Sequence, residues 1–231
     1  MKQDTGLVAT AENSPDSGLS RRKFLSFAGM GLLTTAALAS CSKDNPTLDG
    51  QNINLGSGDI GILNYAYALE QIEAAFYTSA LYNQYVGMTV AERQLLDDIR
   101  QHEVAHREFF KNALGSNAIP ALTIRFTGVD FSSRASVLAT AKAFEDLGVA
   151  AYNGAGKLIA DANYLLLAGK IVSVEARHAA YIRDLISNGS FADNTVIDSN
   201  GLEMSKSPSE VLAIAGGFIK DTINANNLPT A

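Results

Sequence analysis

The sequence contains one cysteine, no tryptophan and only five prolines. A single cysteine excludes an internal disulfide framework, so the fold must be stabilised by packing or by a bound metal. The scarcity of proline, together with a hydrophobic content of 47%, is typical of a helical globular domain. Basic charge is also scarce. The formal net charge is −6, and no basic stripe runs along the chain, so we expect no nucleic-acid partner.

The one basic run belongs to an N-terminal leader. Arg21, Arg22 and Lys23 precede an apolar stretch over residues 24–38 that is too short for a confident membrane span. The run and the stretch form a twin-arginine export pattern. The stretch ends in Leu-Ala-Ser-Cys at Cys41, which resembles a bacterial lipobox, whose cysteine carries a lipid. Residues 1–41 are therefore expected to be a twin-arginine lipoprotein signal peptide that anchors an exported protein in a membrane, in the periplasm or at the cell surface.

The remaining sequence divides into three parts. Polar residues 42–57 predict a flexible tether, residues 58–188 a bundle of four helices, and residues 189–231 a loop and a short helix. Capping-box patterns begin at Thr89 and Ser207. We expect helices over about 59–86, 89–114, 133–159 and 161–187. A shorter helix should run from 207 to about 223, followed by a mobile tail.

Two of the three histidines lie in the same frame, Glu-x-x-His, at Glu103–His106 and Glu175–His178. Positions i and i+3 share one face of a helix, so each frame directs a carboxylate and an imidazole to one place. Glu70 and Glu145 interrupt the apolar seams of the other two long helices. Four unpaired carboxylates in a core would be costly, and two divalent cations would neutralise them. The pattern predicts a dinuclear metal site, although either frame alone would suit a solvated pair on a helix surface.

Other polar residues near these frames allow more than one interpretation. Glu73 lies one turn after Glu70 and suits a further ligand or a surface position. His102 points away from Glu103 and is expected to be exposed or to support a ligand. Tyr77 and Tyr152 each follow a proposed ligand by seven residues, on the same helix face. Tyr77 is the candidate catalytic residue, hydrogen-bonding a bridging group or relaying an electron, whereas ordinary core packing is favoured for Tyr152.

The order of these glutamates and histidines resembles the ferritin-like superfamily, which includes bacterioferritin and rubrerythrin. Residues 148–152 and 174–180 are similar to an exported ferritin-like group related to desiccation-associated proteins. The resemblance implies an all-α, ferritin-like four-helix bundle with a long crossover between helices 2 and 3. It also implies two iron ions, or manganese, bridged by Glu103 and Glu175. Glu70 and Glu145 would be terminal ligands, and His106 and His178 would bind one metal each.

The resemblance leaves the activity open. A ferroxidase or peroxidase type of oxidoreductase acting on oxygen, peroxide or iron is the leading interpretation. A rubrerythrin-like cysteine-ligated iron is excluded, because the chain lacks the cysteines for one. The alternatives are a structural or stress-protective lipoprotein in which any metal is purely structural, and a scaffold that binds a partner through the C-terminal helix. A homodimer is also left open.

Overall fold

The computed structural model describes residues 50–230, and this part of the chain is dominated by four long helices. The expected signal peptide with Cys41, and the first part of the expected tether, lie outside the described residues. The elements in chain order are β1 (Asn52–Asn54), α1 (Gly58–Tyr82), α2 (Val90–Leu114), α3 (Arg134–Gly156), α4 (Ala162–Ile186), α5 (Pro208–Ala215) and β2 (Thr222–Asn224). The predicted all-α bundle with an additional short C-terminal helix is thus confirmed.

Local sequence signals set the beginnings of the helices. The Thr89 side chain accepts a hydrogen bond from the backbone of Glu92, whose carboxylate accepts one in return. Ser207 and Glu210 form the same reciprocal capping box at the start of α5. Each box satisfies backbone N–H groups that have no partner inside the helix. Both predicted capping boxes are present.

The four long helices pair as two hairpins, α1 with α2 and α3 with α4. The hairpins meet chiefly through α1 and α3. Residues 115–133 connect α2 to α3, as in bundles with one long crossover. A cluster of aromatic rings from this crossover, α1, α3 and the C-terminal segment fills one part of the core: Phe76, Phe126, Phe131, Phe144 and Phe218. The crossover is therefore packed against the bundle.

Glycines inside α3 allow two close approaches. A Cβ atom at Gly154 would lie 1.8 Å from the carbonyl oxygen of Lys206, which shows how tightly the loop before α5 contacts this helix. A Cβ atom at Gly148 would lie 3.0 Å from a carboxylate oxygen of Glu73. These glycines lower the stability of α3 as an isolated helix. They also leave space on its surface for the backbone at Lys206 and for the buried side chain of Glu73.

The two ends of the domain differ from the sequence-based expectations. Residues 52–54, expected in the tether, form β1 and pair in parallel with β2. The C-terminal helix, expected to reach about residue 223, ends at Ala215, and Gly216–Phe218 form a 3-10 helix.

The segment after this helix is held by long-range contacts. Asp221 accepts hydrogen bonds from the backbone N–H groups of Gln51 and Thr123. Leu228, in the tail expected to be mobile, is 9% exposed. These expectations were wrong because long-range pairing leaves little trace in local sequence.

Within residues 50–230, no helix combines the length and the hydropathy needed to cross a membrane.

Candidate metal centre

The four glutamates predicted from the sequence lie at the centre of the bundle, one on each long helix. Glu70, Glu103, Glu145 and Glu175 are all 0% exposed. His178 is also buried, whereas the side chain of His106 retains 13% of its exposure. The interpretation of the two Glu-x-x-His frames as solvated surface pairs is therefore wrong.

The donor atoms of these residues form two overlapping groups. In each group, every donor atom lies within 4.8 Å of the others, close enough to hold one metal ion. One group contains Glu70, Glu103, His106 and Glu175, and the other contains Glu103, Glu145, Glu175 and His178. We call them the His106 half-site and the His178 half-site. Glu103 and Glu175 belong to both, which is the arrangement of carboxylates that bridge two metals.

The two shared carboxylates each direct one oxygen to each half-site. Glu175 Oε1 lies 2.8 Å from His106 Nδ1, and Glu175 Oε2 lies 3.3 Å from His178 Nδ1. In the opposite sense, Glu103 Oε1 lies 2.8 Å from His178 Nδ1 and Glu103 Oε2 lies 3.6 Å from His106 Nδ1. Each hairpin thus supplies three residues to its own half-site and one carboxylate oxygen to the other.

The two remaining carboxylates are each held by a tyrosine from the other hairpin. The Tyr77 hydroxyl on α1 donates a hydrogen bond to Glu145 Oε1 on α3, and the Tyr152 hydroxyl on α3 donates one to Glu70 Oε1 on α1. The second oxygens, Glu145 Oε2 and Glu70 Oε2, each lie 3.4 Å from the histidine nitrogen of their half-site. The tyrosines therefore orient these carboxylates and leave one oxygen of each facing the site.

The donor set could hold metal because its inward atoms are unsatisfied. Six buried carboxylate oxygens and the Nδ1 atoms of both histidines have no hydrogen-bond partner, although several are at ion-pair distance from one another. Buried polar atoms almost always have partners. The eight atoms are Glu70 Oε2, Glu103 Oε1 and Oε2, His106 Nδ1, Glu145 Oε2, Glu175 Oε1 and Oε2, and His178 Nδ1.

The site's electrostatics reflect this concentration of charge. Burial, reinforced by Glu175, raises the pKa of Glu103 to about 8. Burial also raises the pKa of Glu145, to about 7. Burial disfavours the charged form of His178, but the surrounding carboxylates outweigh it and raise the pKa of this imidazole to about 12. Burial would likewise raise the pKa of Glu175, but His106 and His178 reverse that effect and lower it. Without a cation, the cluster retains protons.

An outward hydrogen bond distinguishes the two histidines. His178 Nε2 lies 2.9 Å from Nδ1 of His102, which is exposed on α2. The sequence allowed a supporting role for His102 but could not identify its partner, because the contact joins residues on two helices that lie 76 positions apart in the chain. Among residues 50–230, no corresponding hydrogen bond to His106 Nε2 is present.

Two further residues near the centre differ from their expected places. Glu73, for which a surface position was one interpretation, is 4% exposed and faces Gly148, but it belongs to neither half-site. Burial raises its pKa well above the usual range, and the other buried glutamates reinforce the shift. Tyr152, assigned to ordinary packing, holds Glu70 just as Tyr77 holds Glu145. The seven-residue spacing that both tyrosines share with a preceding glutamate was the sequence signal that could have paired them.

A small apolar cavity adjoins the centre at Tyr152. It lies among α1, α2, α3 and α4 and has a volume of about 20 Å³, close to the space of one water molecule. Alanines and branched aliphatic side chains line most of it, and Phe110 contributes an aromatic wall. Tyr152 lines this cavity, whereas none of the six glutamates and histidines of the two half-sites does.

A comparison with known protein families supports the assignment of the bundle. The family model described as ferritin-like domain matches residues 58–188, which span the four long helices and more than half of the chain. In the comparison with curated proteins, none matches this sequence.

Proposed function

The chain belongs to the ferritin-like domain family, and from this premise we propose that it binds two iron or manganese ions for redox chemistry. The chemistry would act on oxygen or peroxide, or would oxidise iron. The observation that carries the proposal is the set of eight unpartnered donor atoms divided between two half-sites. Glu103 and Glu175 would bridge the metals. Glu70 and His106 would complete one coordination sphere, and Glu145 and His178 the other.

Charge supports two cations in this site. Four ionised carboxylates carry four negative charges, and two divalent ions neutralise them without any basic side chain from the protein. Among residues 50–230, Arg183 is the one buried arginine, and it is occupied elsewhere by a bidentate pair with Asp146. Carboxylate-rich sites with one imidazole per metal suit iron and manganese, whereas thiolates would be needed to favour softer metals.

The bound metals would supply the electrons, and the protein supplies geometry and exclusion of water. Tyr77 and Tyr152 fix the orientation of Glu145 and Glu70, so the inward oxygens stay in place when the site is filled. Tyr77 stands close enough to serve as the proposed redox-active residue through its hydrogen bond to Glu145. The small apolar cavity beside Tyr152 is too small for a bulky organic substrate.

The cellular setting is a further part of the proposal. The twin-arginine pattern at Arg21–Arg22 and the lipobox cysteine Cys41 support export and attachment to a membrane through a lipid. Because the twin-arginine route carries folded proteins, the metals could be bound before export. The domain would then work in the periplasm or at the cell surface.

Metal content of the full-length protein tests the proposal. We expect about two iron or manganese ions per chain, and loss of both in a Glu103→Ala/Glu175→Ala double variant, because both shared ligands are removed. A Glu108→Gln variant on the same helix as Glu103 is the control and should keep both metals. A wild-type protein that cannot be loaded with either metal would refute the site.

Assays of the loaded protein then separate redox function from structure. Consumption of oxygen or peroxide, or oxidation of added ferrous iron, supports the redox proposal. If the metals bind and raise the melting temperature but none of these substrates is consumed, the metals are structural and the stress-protective alternative is correct.

A further inference from the structure

We propose that His102 is a positioning residue that makes the two half-sites unequal, so that the His178 half-site binds its metal more tightly and fills first. The inference deepens the proposed function and rests on it. It comes from one contact, His178 Nε2 to His102 Nδ1 at 2.9 Å, which joins a buried donor of the centre to the surface of α2.

The geometry identifies this contact as a hydrogen bond between rings that lie end to end. The planes of the two imidazoles differ by only 10°, and their centroids are 5.1 Å apart. Rings stacked face to face keep their atoms at van der Waals separation, which is about 3.5–4.0 Å between carbon atoms. The observed 2.9 Å therefore places the contact close to both ring planes, where an N–H bond and a nitrogen lone pair point.

The position of the proton follows from the inner side of His178. Its Nδ1 faces carboxylate oxygens of Glu103 and Glu175 and has no hydrogen-bond partner. A metal in this half-site needs the Nδ1 lone pair, so the single proton of the neutral ring must be on Nε2. Nε2 then donates to His102 Nδ1, and the remaining proton of a neutral His102 is on its own Nε2. His102 thus holds His178 in the tautomer and orientation that bind metal.

The rest of the centre is nearly symmetric, which isolates the effect of this contact. Each half-site has one histidine, one glutamate held by a tyrosine and two shared carboxylates. In the described part of the chain, His178 has a protein hydrogen-bond partner at its outer nitrogen, whereas His106, whose side chain is 13% exposed, has no protein partner there. Loss of such an outer partner typically weakens metal binding about 10–100-fold. The same factor should separate the two half-sites here.

Variants that leave one half-site intact test this inequality directly. Glu70→Gln disables the His106 half-site, and Glu145→Gln disables the His178 half-site. Each glutamine can still accept the tyrosine hydrogen bond through its amide oxygen. The metal-free full-length protein is titrated with Mn²⁺, and free Mn²⁺ is measured by electron paramagnetic resonance. We expect the Glu70→Gln protein to bind Mn²⁺ about 10–100-fold more tightly than the Glu145→Gln protein.

His102→Ala should remove that difference. In the Glu70→Gln background it should weaken Mn²⁺ binding about 10–100-fold, and in the Glu145→Gln background it should leave binding unchanged. His102→Asn retains an acceptor near the position of Nδ1 and should restore most of the affinity. Gln101→Ala, an exposed change on the same helix turn, is the matched control and should have no effect.

The outcomes distinguish this inference from the function on which it rests. If the wild-type protein takes up no metal, the proposed centre itself fails. If the wild type takes up two metals but His102→Ala changes neither background, or both equally, the centre stands and the role of His102 is refuted. Failure of His102→Asn to restore binding that His102→Ala has lost would also overturn the hydrogen-bond argument.

Discussion

Replacing Glu103 by glutamine should separate the cost of a buried carboxylate from its benefit to metal binding. Glu103 is 0% exposed, and both of its oxygens face the half-sites without hydrogen-bond partners. Burial raises its pKa to about 8. Below that pH the metal-free protein carries a protonated carboxyl, for which glutamine is a neutral substitute of nearly equal shape. The metal-free variant should therefore melt close to the metal-free wild type.

The metal-loaded proteins should differ strongly. At a free metal concentration one hundred times the dissociation constant, each bound ion stabilises the folded state by about 2.7 kcal/mol, so two ions contribute about 5 kcal/mol. For a domain of this size, each kcal/mol corresponds to about 2–4 °C, which predicts a rise of about 10–20 °C on loading. Glutamine offers one uncharged oxygen in place of two anionic ones. Most of that rise should disappear in the variant.

Calorimetric melting of four samples tests the argument: wild type and Glu103→Gln, each with and without Mn²⁺, at about pH 6.5, below the raised pKa. Glu108→Gln is the control, because this glutamate is 45% exposed and pairs only with Arg107 on the surface. Equal melting temperatures of the two loaded proteins would refute the bridging role. A metal-free variant that melts far below the metal-free wild type would show that Glu103 matters for packing instead.

Three further outcomes follow from the same structure. Tyr152→Phe leaves Glu70 Oε1 without its donor and should lower the free energy of unfolding by about 1–3 kcal/mol in a denaturant titration; no change would mean that the hydroxyl is dispensable. In the metal-free protein, the raised pKa values of Glu103 (about 8) and Glu145 (about 7) favour folding only while these groups are protonated. The free energy of unfolding of the metal-free protein should therefore fall as the pH rises from about 5 to about 8. Over the same range the affinity for metal should rise, because the ligands lose their protons. A metal-free protein that becomes more stable over this range would contradict the raised pKa values of the two glutamates. Arg183→Met breaks a buried pair with Asp146 and should cost about 3 kcal/mol by equilibrium unfolding, and a loss below about 1 kcal/mol would place this pair with ordinary surface pairs.

Helical periodicity explains why so much of the bundle could be predicted. Each long helix carries a continuous apolar stripe, and Thr89 and Ser207 mark helix starts with side chains that cap them. The spacing from Glu103 to His106 places both on one face whatever the tertiary structure is. Residues that share a helix could therefore be grouped from the sequence alone.

Contacts between helices could not be predicted in the same way. The bond from Tyr152 to Glu70 depends on the relative height and rotation of α1 and α3, and the bond from His102 to His178 on those of α2 and α4. Neither quantity is encoded in a local pattern. The pairing of β1 with β2 joins segments about 170 residues apart in the chain, as the hydrogen bond between Gln51 and Asp221 shows. Strands of three residues are too short for a local sequence pattern to predict this pairing.

Each hairpin contributes a carboxylate oxygen to the half-site of the other. The centre can therefore hold the two hairpins together as well as bind metal. Glu175 reaches from the second hairpin to the His106 half-site, and Glu103 reaches from the first hairpin to the His178 half-site. A chain with only one hairpin formed would offer an ion three donor residues and no fourth. If two ions bind as proposed, firm retention of both requires the two hairpins to have docked, and removal of the ions should loosen the packing of α1 against α3 before it loosens either hairpin.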